Sequence, residues 1–361
     1  MKSCRVLFIV LGTLFVVFTM ACGPSKPGDV SKPGGPSGNA IIGAGSTFVY
    51  PVMTRWISTF QQDRSGLKIN YQSIGSGGGI QQLKKGLVDF GASDAALDDN
   101  QLKDMSAVIQ IPESAGPVCI TYNLPDLKSP LHLSDTTLAA IFLGTIKDWQ
   151  SPALKKDNPG VKLPTGPIIV AHRSDGSGTS NIFTTYLSQV SPEWQQKVGK
   201  GISVSWPVGI GGKGSEGVTG VVKQSAGSIG YVELTYAKEN NLPVALIRNK
   251  AGNYEEPTAQ GTTAAIEAFS SQLAQDVRAP IVDPPASAKD AYPIAGLTFV
   301  IVPKDGNDAG KRQNLKDFVH YMVTSGQDVA EQLYYAKLPS SLQQQDQQLL
   351  DQMTTNGQSM K

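Results

Sequence analysis

The segment 171–186 reads AHRSDGSGTSNIFTTY and concentrates groups suited to holding an oxyanion. Arg173 carries a fork of N–H donors that matches a tetrahedral oxyanion, and Asp175 is spaced to steady that guanidinium. Ser177, Gly178, Thr179 and Ser180 then gather hydroxyls and backbone N–H groups ahead of a helix-like run. A helix start carries partial positive charge, and glycine lets the backbone approach a ligand closely. The same residues also suit an ordinary strand-to-helix turn with a Ser or Thr cap.

Two further segments share this character. GAGSTF, residues 43–48, offers the hydroxyls of Ser46 and Thr47 and the amides of Thr47 and Phe48 just before a helix. IGSGGGI, residues 74–80, sets Ser76 among glycines before another helix. Open α/β sheets bind ligands at the carboxyl ends of their strands. Converging there, the three turns would replace the water around a small anion with fixed donors.

FGASDA, residues 90–95, brings Asp94 to the same set. A carboxylate beside an anion repels it unless the ligand has a proton to donate. Protonated phosphate has one, whereas sulfate at neutral pH does not. A sulfate would face an unpaired buried acceptor, a mismatch of about 1–3 kcal/mol or more. The bland alternative is that Asp94 caps a helix beginning after Ala95.

The elements that must position these groups follow from periodicity. Strands are predicted over 40–42, 67–72, 88–92, 168–171, 228–232 and 296–302. Helices are predicted over 51–61, through Leu83, and over 134–142, 216–223, 313–323 and 328–335. Strand, Gly-rich turn and helix recur in that order, which favours an α/β fold with mostly parallel strands. The Gln-rich end, 342–353, reads as a surface helix.

The chain has 361 residues, 40% hydrophobic and 17% charged, enough for one large or two ordinary domains with a real core. Lys2 and Arg5 precede the apolar run 6–18, and Ala21 leads into Cys22. That is the shape of a secretory signal, too short for a comfortable transmembrane helix. Without residues 1–21, 29 basic residues face 30 acidic ones, a net charge of −1 that gives no sign of a nucleic-acid partner. Cys22 after a small residue resembles a bacterial lipoprotein signal, although Thr19 stands where Leu is usual. Lipidation at Cys22 would make the protein an exported lipoprotein, periplasmic or at the cell surface, tethered by the Gly/Pro/Ser stretch 22–39. Cys119 then has no partner and reads as a buried thiol.

GAGSTF, YQSIGSGGGIQQ, VDFGASDA, RSDGSGTS, WPVGIGGKGSEGV and GSIGYVE occur in the order shown by the periplasmic phosphate-binding proteins of bacterial phosphate ABC importers. The chain resembles that family from about Ile42 to Leu338. The resemblance implies a type II periplasmic-binding-protein fold, two α/β lobes joined by hinge strands with the ligand in the cleft. Lobe I would hold 40–116 plus 290–361, and lobe II 117–289. Carried over residue by residue, the phosphate contacts fall on Ser46, Thr47, Phe48, Ser76, Asp94, Arg173, Ser177, Gly178 and Thr179, with Asp175 pairing the arginine. Gly77, Ala96 and His172 depart from the usual Ser, Pro and basic residue without removing a contact.

The implied function is capture of phosphate by hinge closure and delivery to a membrane permease and its ATPase, by a monomer without cofactor or metal. Arsenate binding, or a sensing or storage role, keeps the fold and changes the use. Catalysis is the rival class. His132, His172 and His320 lack metal-ligand spacing, and Asp175-Gly176-Ser177-Gly178-Thr179 fails the Gly-x-Ser-x-Gly nucleophile elbow at both ends. GIGGKGSEG, residues 209–217, fails the phosphate-loop pattern because Gly214 follows Lys213; it reads as a turn with a rim role for Lys213.

Overall fold

The computed structural model describes residues 40–105 and 107–360. The signal segment, the tether and Cys22 lie outside the described residues. The first strands are β1 (Ala40–Gly45), β2 (Lys68–Ser73), β3 (Phe90–Ser93) and β4 (Val108–Asn123). Then come β5 (His132–Leu133), β6 (Ile169–Arg173), β7 (Ile210–Gly212) and β8 (Ser228–Glu233). β9 (Leu246–Arg248), β10 (Tyr254–Glu255), β11 (Ala295–Pro303), β12 (Thr354–Thr355) and β13 (Gln358–Ser359) complete them.

Eight strands form one sheet in the order β2-β1-β3-β11-β4-β8-β6-β7. Its two outer blocks are parallel: β1 with β2 and β3, and β6 with β7 and β8. Its centre is antiparallel: β11 with β3 and β4, and β4 with β8. Four of its seven pairings are thus parallel, in line with the expected mostly parallel sheet, and the antiparallel centre is the part not foreseen. Within each block a helix crosses over and returns the chain parallel. At the centre the chain comes back from far along the sequence, and β11 enters against both neighbours.

β4 is long because it serves both blocks. Val108–Pro117 pairs with β11, and Val118–Asn123 pairs with β8. Pro117 stands where the strand changes partner, a place where a missing N–H is tolerated. The register with β11 slips between Thr298, opposite Ser114, and Phe299, opposite Pro112. Glu113 is thus the extra residue of a β-bulge.

The helices behind the turns form for ordinary reasons. Tyr50–Gln61 has Pro51 in its first turn, where no N–H is needed, and buries Val52, Met53, Trp56 and Phe60 along one face. Gly178–Val190 is capped by Ser177, whose hydroxyl accepts from the Ser180 amide at 3.0 Å. Behind β6, Phe183 stacks on Tyr231 at 4.6 Å and Trp206 on Tyr231 at 5.6 Å. The fully buried rings, Phe183 and Tyr231, contribute roughly 1.5–3 kcal/mol of burial each and brace the strand that carries Arg173. Cys119 is buried, its thiol near the Val232 carbonyl.

The Gln-rich helix runs Ser340–Leu350 and is not wholly a surface element. Leu342, Asp346 and Leu350, four residues apart, turn one stripe inward. Among the described residues no helix is long and apolar enough to cross a membrane.

Candidate functional site

The three Gly-rich turns meet at the carboxyl ends of β1, β2 and β6. Ser46, Thr47, Phe48, Ser76, Asp94, Arg173, Ser177, Gly178 and Thr179 are all buried there. Ser46 donates to the Asp94 carboxylate, and its hydroxyl accepts from the Phe48 amide at 3.0 Å. Thr179 donates to the other Asp94 oxygen at 3.0 Å. The Ser76 hydroxyl accepts from the Gly178 amide at 3.1 Å and the Asp94 amide at 3.3 Å.

Backbone geometry makes this approach possible. Gly75, which precedes the helix Ser76–Lys84, has φ 83°, a conformation that disfavours any side chain. A Cβ on Gly178 would lie 2.6 Å from the Ser76 hydroxyl and 2.7 Å from the Asp94 Cβ. Only glycine lets the helix Gly178–Val190 start so close to Asp94.

Arg173 is held in a fork. Its Nε donates to Asp175 Oδ1 at 2.8 Å and its Nη2 to Asp175 Oδ2 at 2.6 Å. Its Nη1 faces the Thr179 hydroxyl at 3.5 Å, and its amide donates to the Tyr231 hydroxyl at 3.1 Å. Burial pushes the Tyr231 hydroxyl up to about 12, so it stays a neutral hydrogen-bonding group. Burial works against the Arg173 charge, but the Asp175 hydrogen bonds and charge outweigh it and hold the guanidinium firmly protonated. Burial likewise works to raise Asp175, and Arg173 wins, holding that carboxyl below its usual range.

Asp94 is the exception among the acids of the site. Burial raises it to about 6, although Ser46, Arg173 and Thr179 all pull it down. It does not cap a helix after Ala95, because the next helix is Asp99–Asp104 and Asp98 caps that one. The Ser93 hydroxyl accepts from the Ala95 amide instead, at 3.1 Å. The Asp94 carboxylate is free to face the turns.

Two site groups are partly committed elsewhere. The Ser177 hydroxyl caps its own helix yet keeps its hydrogen to donate. The Phe48 ring packs on Tyr335, whose hydroxyl donates to the Phe48 carbonyl at 2.6 Å. His172 lies within β6, stacked on Trp206 at 5.0 Å. Lys213 is exposed and precedes the helix Gly214–Gln224.

That helix is what the sequence reading undervalued. The Gly214 amide donates to Asp175 at 3.0 Å. The Ser215 amide donates to the Thr47 hydroxyl at 3.1 Å, and the two hydroxyls lie 2.8 Å apart. Gly214-Ser215 repeats the Gly-then-hydroxyl pattern before a helix, the signal that could have revealed it. The Tyr236 hydroxyl donates to the Thr47 carbonyl at 2.7 Å, and that of Tyr71 to the Ser46 carbonyl at 2.9 Å. Tyr71 opens the YQSIGSGGGIQQ segment with no site role expected of it, and Tyr236 lies beyond GSIGYVE. Among the described residues no group of three or more His, Cys, Asp or Glu is placed to hold a metal ion.

A sheet with two parallel blocks around an antiparallel centre, and helix starts converging on one buried cage, define a binding protein of the periplasmic class. A model of the PBP superfamily domain matches residues 30–325. The phosphate-binding protein PstS of Xylella fastidiosa (strain Temecula1) is 43% identical over 306 residues, covering 84% of this chain and 83% of that one. The phosphate-binding protein PstS of Haemophilus influenzae is 40% identical, covering 84% of this chain and 90% of its own. A high affinity periplasmic phosphate-binding protein (PfluDING), solved with phosphate bound, shares the fold at TM-score 0.66 and 21% identity, covering 85% of this chain and 92% of that one. The chain belongs to the PstS family of phosphate-binding proteins.

Proposed function

We propose that this protein captures inorganic phosphate outside the cytoplasmic membrane and hands it to the permease of an ABC importer. The observation that carries this reading is a buried carboxylate set within a cage of donors. Asp94 lies among Ser46, Ser76, Gly178 and Thr179, with the Arg173–Asp175 pair beside it. A hydrogen phosphate would receive bonds from Arg173, from the hydroxyls of Ser76 and Ser177 and the Thr47 amide, and, once they turn from Asp94, Ser46 and Ser76, from the Ser46 and Thr179 hydroxyls and the Phe48 and Gly178 amides. Its own proton would go to Asp94. Many donors are needed, because a desolvated anion without them is costly. The names of its relatives support the ligand class.

Closure by two lobes, 40–116 with 290–361 against 117–289, accounts for hydrogen bonds that cross between the two segments. Ser76 with Gly178, Thr47 with Ser215, and the Gly77 amide donating to the Gly176 carbonyl at 3.0 Å are of this kind. β4 and β11 would supply the hinge. Arsenate, protonated as phosphate is, would enter the same cage. Anchoring through a lipid on Cys22 and action as a monomer complete the reading.

Calorimetric titration of the soluble body at pH 7.5, freed of carried-over phosphate, tests it. Tight one-to-one phosphate binding without sulfate binding is the expected result, and no phosphate binding overturns the reading. The pH series adds a sign. Asp94 is ionised above about 6 and gains a proton as pH falls through that value. Protonated, it becomes a donor, so sulfate rejection should weaken below pH 6. Asp94→Asn should show the same loss at pH 7.5, by roughly 5- to 150-fold in the phosphate-to-sulfate ratio (about 1–3 kcal/mol).

A further inference from the structure

A second acid sits behind the first. Glu113 is fully buried, and neither of its carboxylate oxygens has a hydrogen-bond partner. It is the bulged residue of β4, opposite Thr298 and Phe299 of β11. On the other edge of β11, Phe299 pairs with Ser93, the neighbour of Asp94. Glu113 and Asp94 therefore flank the same two residues of β11, about 10 Å apart at two strand spacings.

The groups around Glu113 compensate little. The Thr298 hydroxyl on β11 works to lower it, but burial outweighs that pull, and the hydroxyl's own hydrogen bond goes to the Ser114 carbonyl at 3.4 Å. From the helix Gln327–Gln332 comes only the neutral amide of Gln327, which donates to the Glu113 carbonyl at 2.9 Å. Tyr71 on β2 and Asp94 after β3 are the titratable groups coupled to it. Among the described residues no cation pairs with it within 4.0 Å. Burial, with the Asp94 charge added, pushes Glu113 up to about 8.

We infer that Glu113 is a positioning acid coupled to the anion site through Asp94: it holds a proton while phosphate is bound and links phosphate release to alkaline pH. The inference rests on phosphate as the ligand. A bound anion is a further like charge, so it raises the proton affinity of Glu113. The sign follows by linkage. Below about pH 8 Glu113 is protonated with and without ligand, and affinity does not depend on it. Above that value the free protein loses the proton, the bound protein retains it, and affinity falls until the bound form also titrates.

The test compares the wild-type protein with Glu113→Gln by phosphate titration from pH 6.5 to 9.5, in two buffers of different ionisation enthalpy. Phosphate ionises identically in both proteins, so its contribution cancels. The wild type should take up an extra fraction of a proton near pH 8.5. Its affinity should fall on the order of tenfold more than that of the variant over this range. Equal proton counts and parallel pH curves overturn the inference. Infrared spectra of the wild type give a second readout should the variant not fold. A carboxylic C=O band that persists at pH 8.5 only with phosphate supports the inference, and a band insensitive to phosphate overturns it. Failure of the wild type to bind phosphate at pH 7 sinks the functional reading instead, so the two failures are distinct.

Discussion

Asp94 and Glu113 flank the same stretch of β11 and are equally removed from water, yet they are held differently. Asp94 accepts from Ser46 and Thr179 and has the Arg173 charge nearby, and it titrates at about 6. Glu113 has no such partners and is pushed up to about 8. Burial alone therefore does not set the charge state of an acid in this molecule; its donors do. The cage is a region where burial is compensated bond by bond. Outside it, on three separate elements, Glu113 of β4, one oxygen of Glu233 of β8, and Asp346 of the helix Ser340–Leu350 are buried and left unpaired.

The strongest way to break this contrast is to strip the compensated region of its cation. Arg173 is buried and holds Asp175 in two hydrogen bonds. Arg173→Met leaves the Asp175 and Asp94 carboxylates without that charge. Removing one member of a buried pair costs about 3–5 kcal/mol of stability, and the anion loses a charged donor of the cage. Phosphate affinity should fall at least about a thousandfold by calorimetry, roughly 4 kcal/mol, with a lowered melting temperature. Near-normal binding would show that the neutral donors suffice.

The compensated region was the legible one. Each of its turns carries a glycine and a hydroxyl ahead of a helix, and those are local signals. The helix expected over 51–61 is Tyr50–Gln61, and the strand expected over 168–171 is Ile169–Arg173. Longer-range features were not readable. β4 is broken up in sequence by Pro112, Gly116 and Pro117, and it becomes one strand only because it changes partner at Pro117 and bulges at Glu113. β7 contains two glycines and is a strand by virtue of pairing with β6. Glu113, within Ile-Pro-Glu-Ser, has the local look of a solvated turn; nothing nearby in sequence indicates that β11 will cover it. Tyr236 reaches the Thr47 carbonyl from the helix Leu234–Glu239, 189 residues further along the chain, a contact no local pattern announces.

An uncompensated acid can also be probed where ligand binding is not involved. Asp346, on the inward stripe of Ser340–Leu350, is buried with neither carboxylate oxygen bonded, and burial raises it to about 8. Its folded value lies above its unfolded value near 4. Its contribution is thus harmless below about pH 4 and increasingly destabilising as pH rises towards 8. Asp346→Leu should raise stability at pH 8 by about 1–4 kcal/mol in denaturant unfolding and give no gain at pH 4. A gain of equal size at both values would point to packing rather than charge.

The smallest expected effect sharpens the comparison from the side of exposure. Arg278 has partners as close as those of Arg173: Asp276 at 2.7 Å and Asp99 at 2.6 Å. Its bond to Asp99 joins the loop before β11 to the helix after β3, a latch across the proposed cleft. Asp99 is 78% exposed, however, and Arg278 31%. Water and salt screen such a pair, which leaves about 0–1 kcal/mol. Arg278→Ala should speed phosphate dissociation in stopped flow by no more than about fivefold, and the difference should vanish in high salt. A loss comparable to that of Arg173→Met would mean that partners matter as much at the surface as in the cage. A small, salt-sensitive change would mean that donors set the charge state only where burial has already removed the alternative of water.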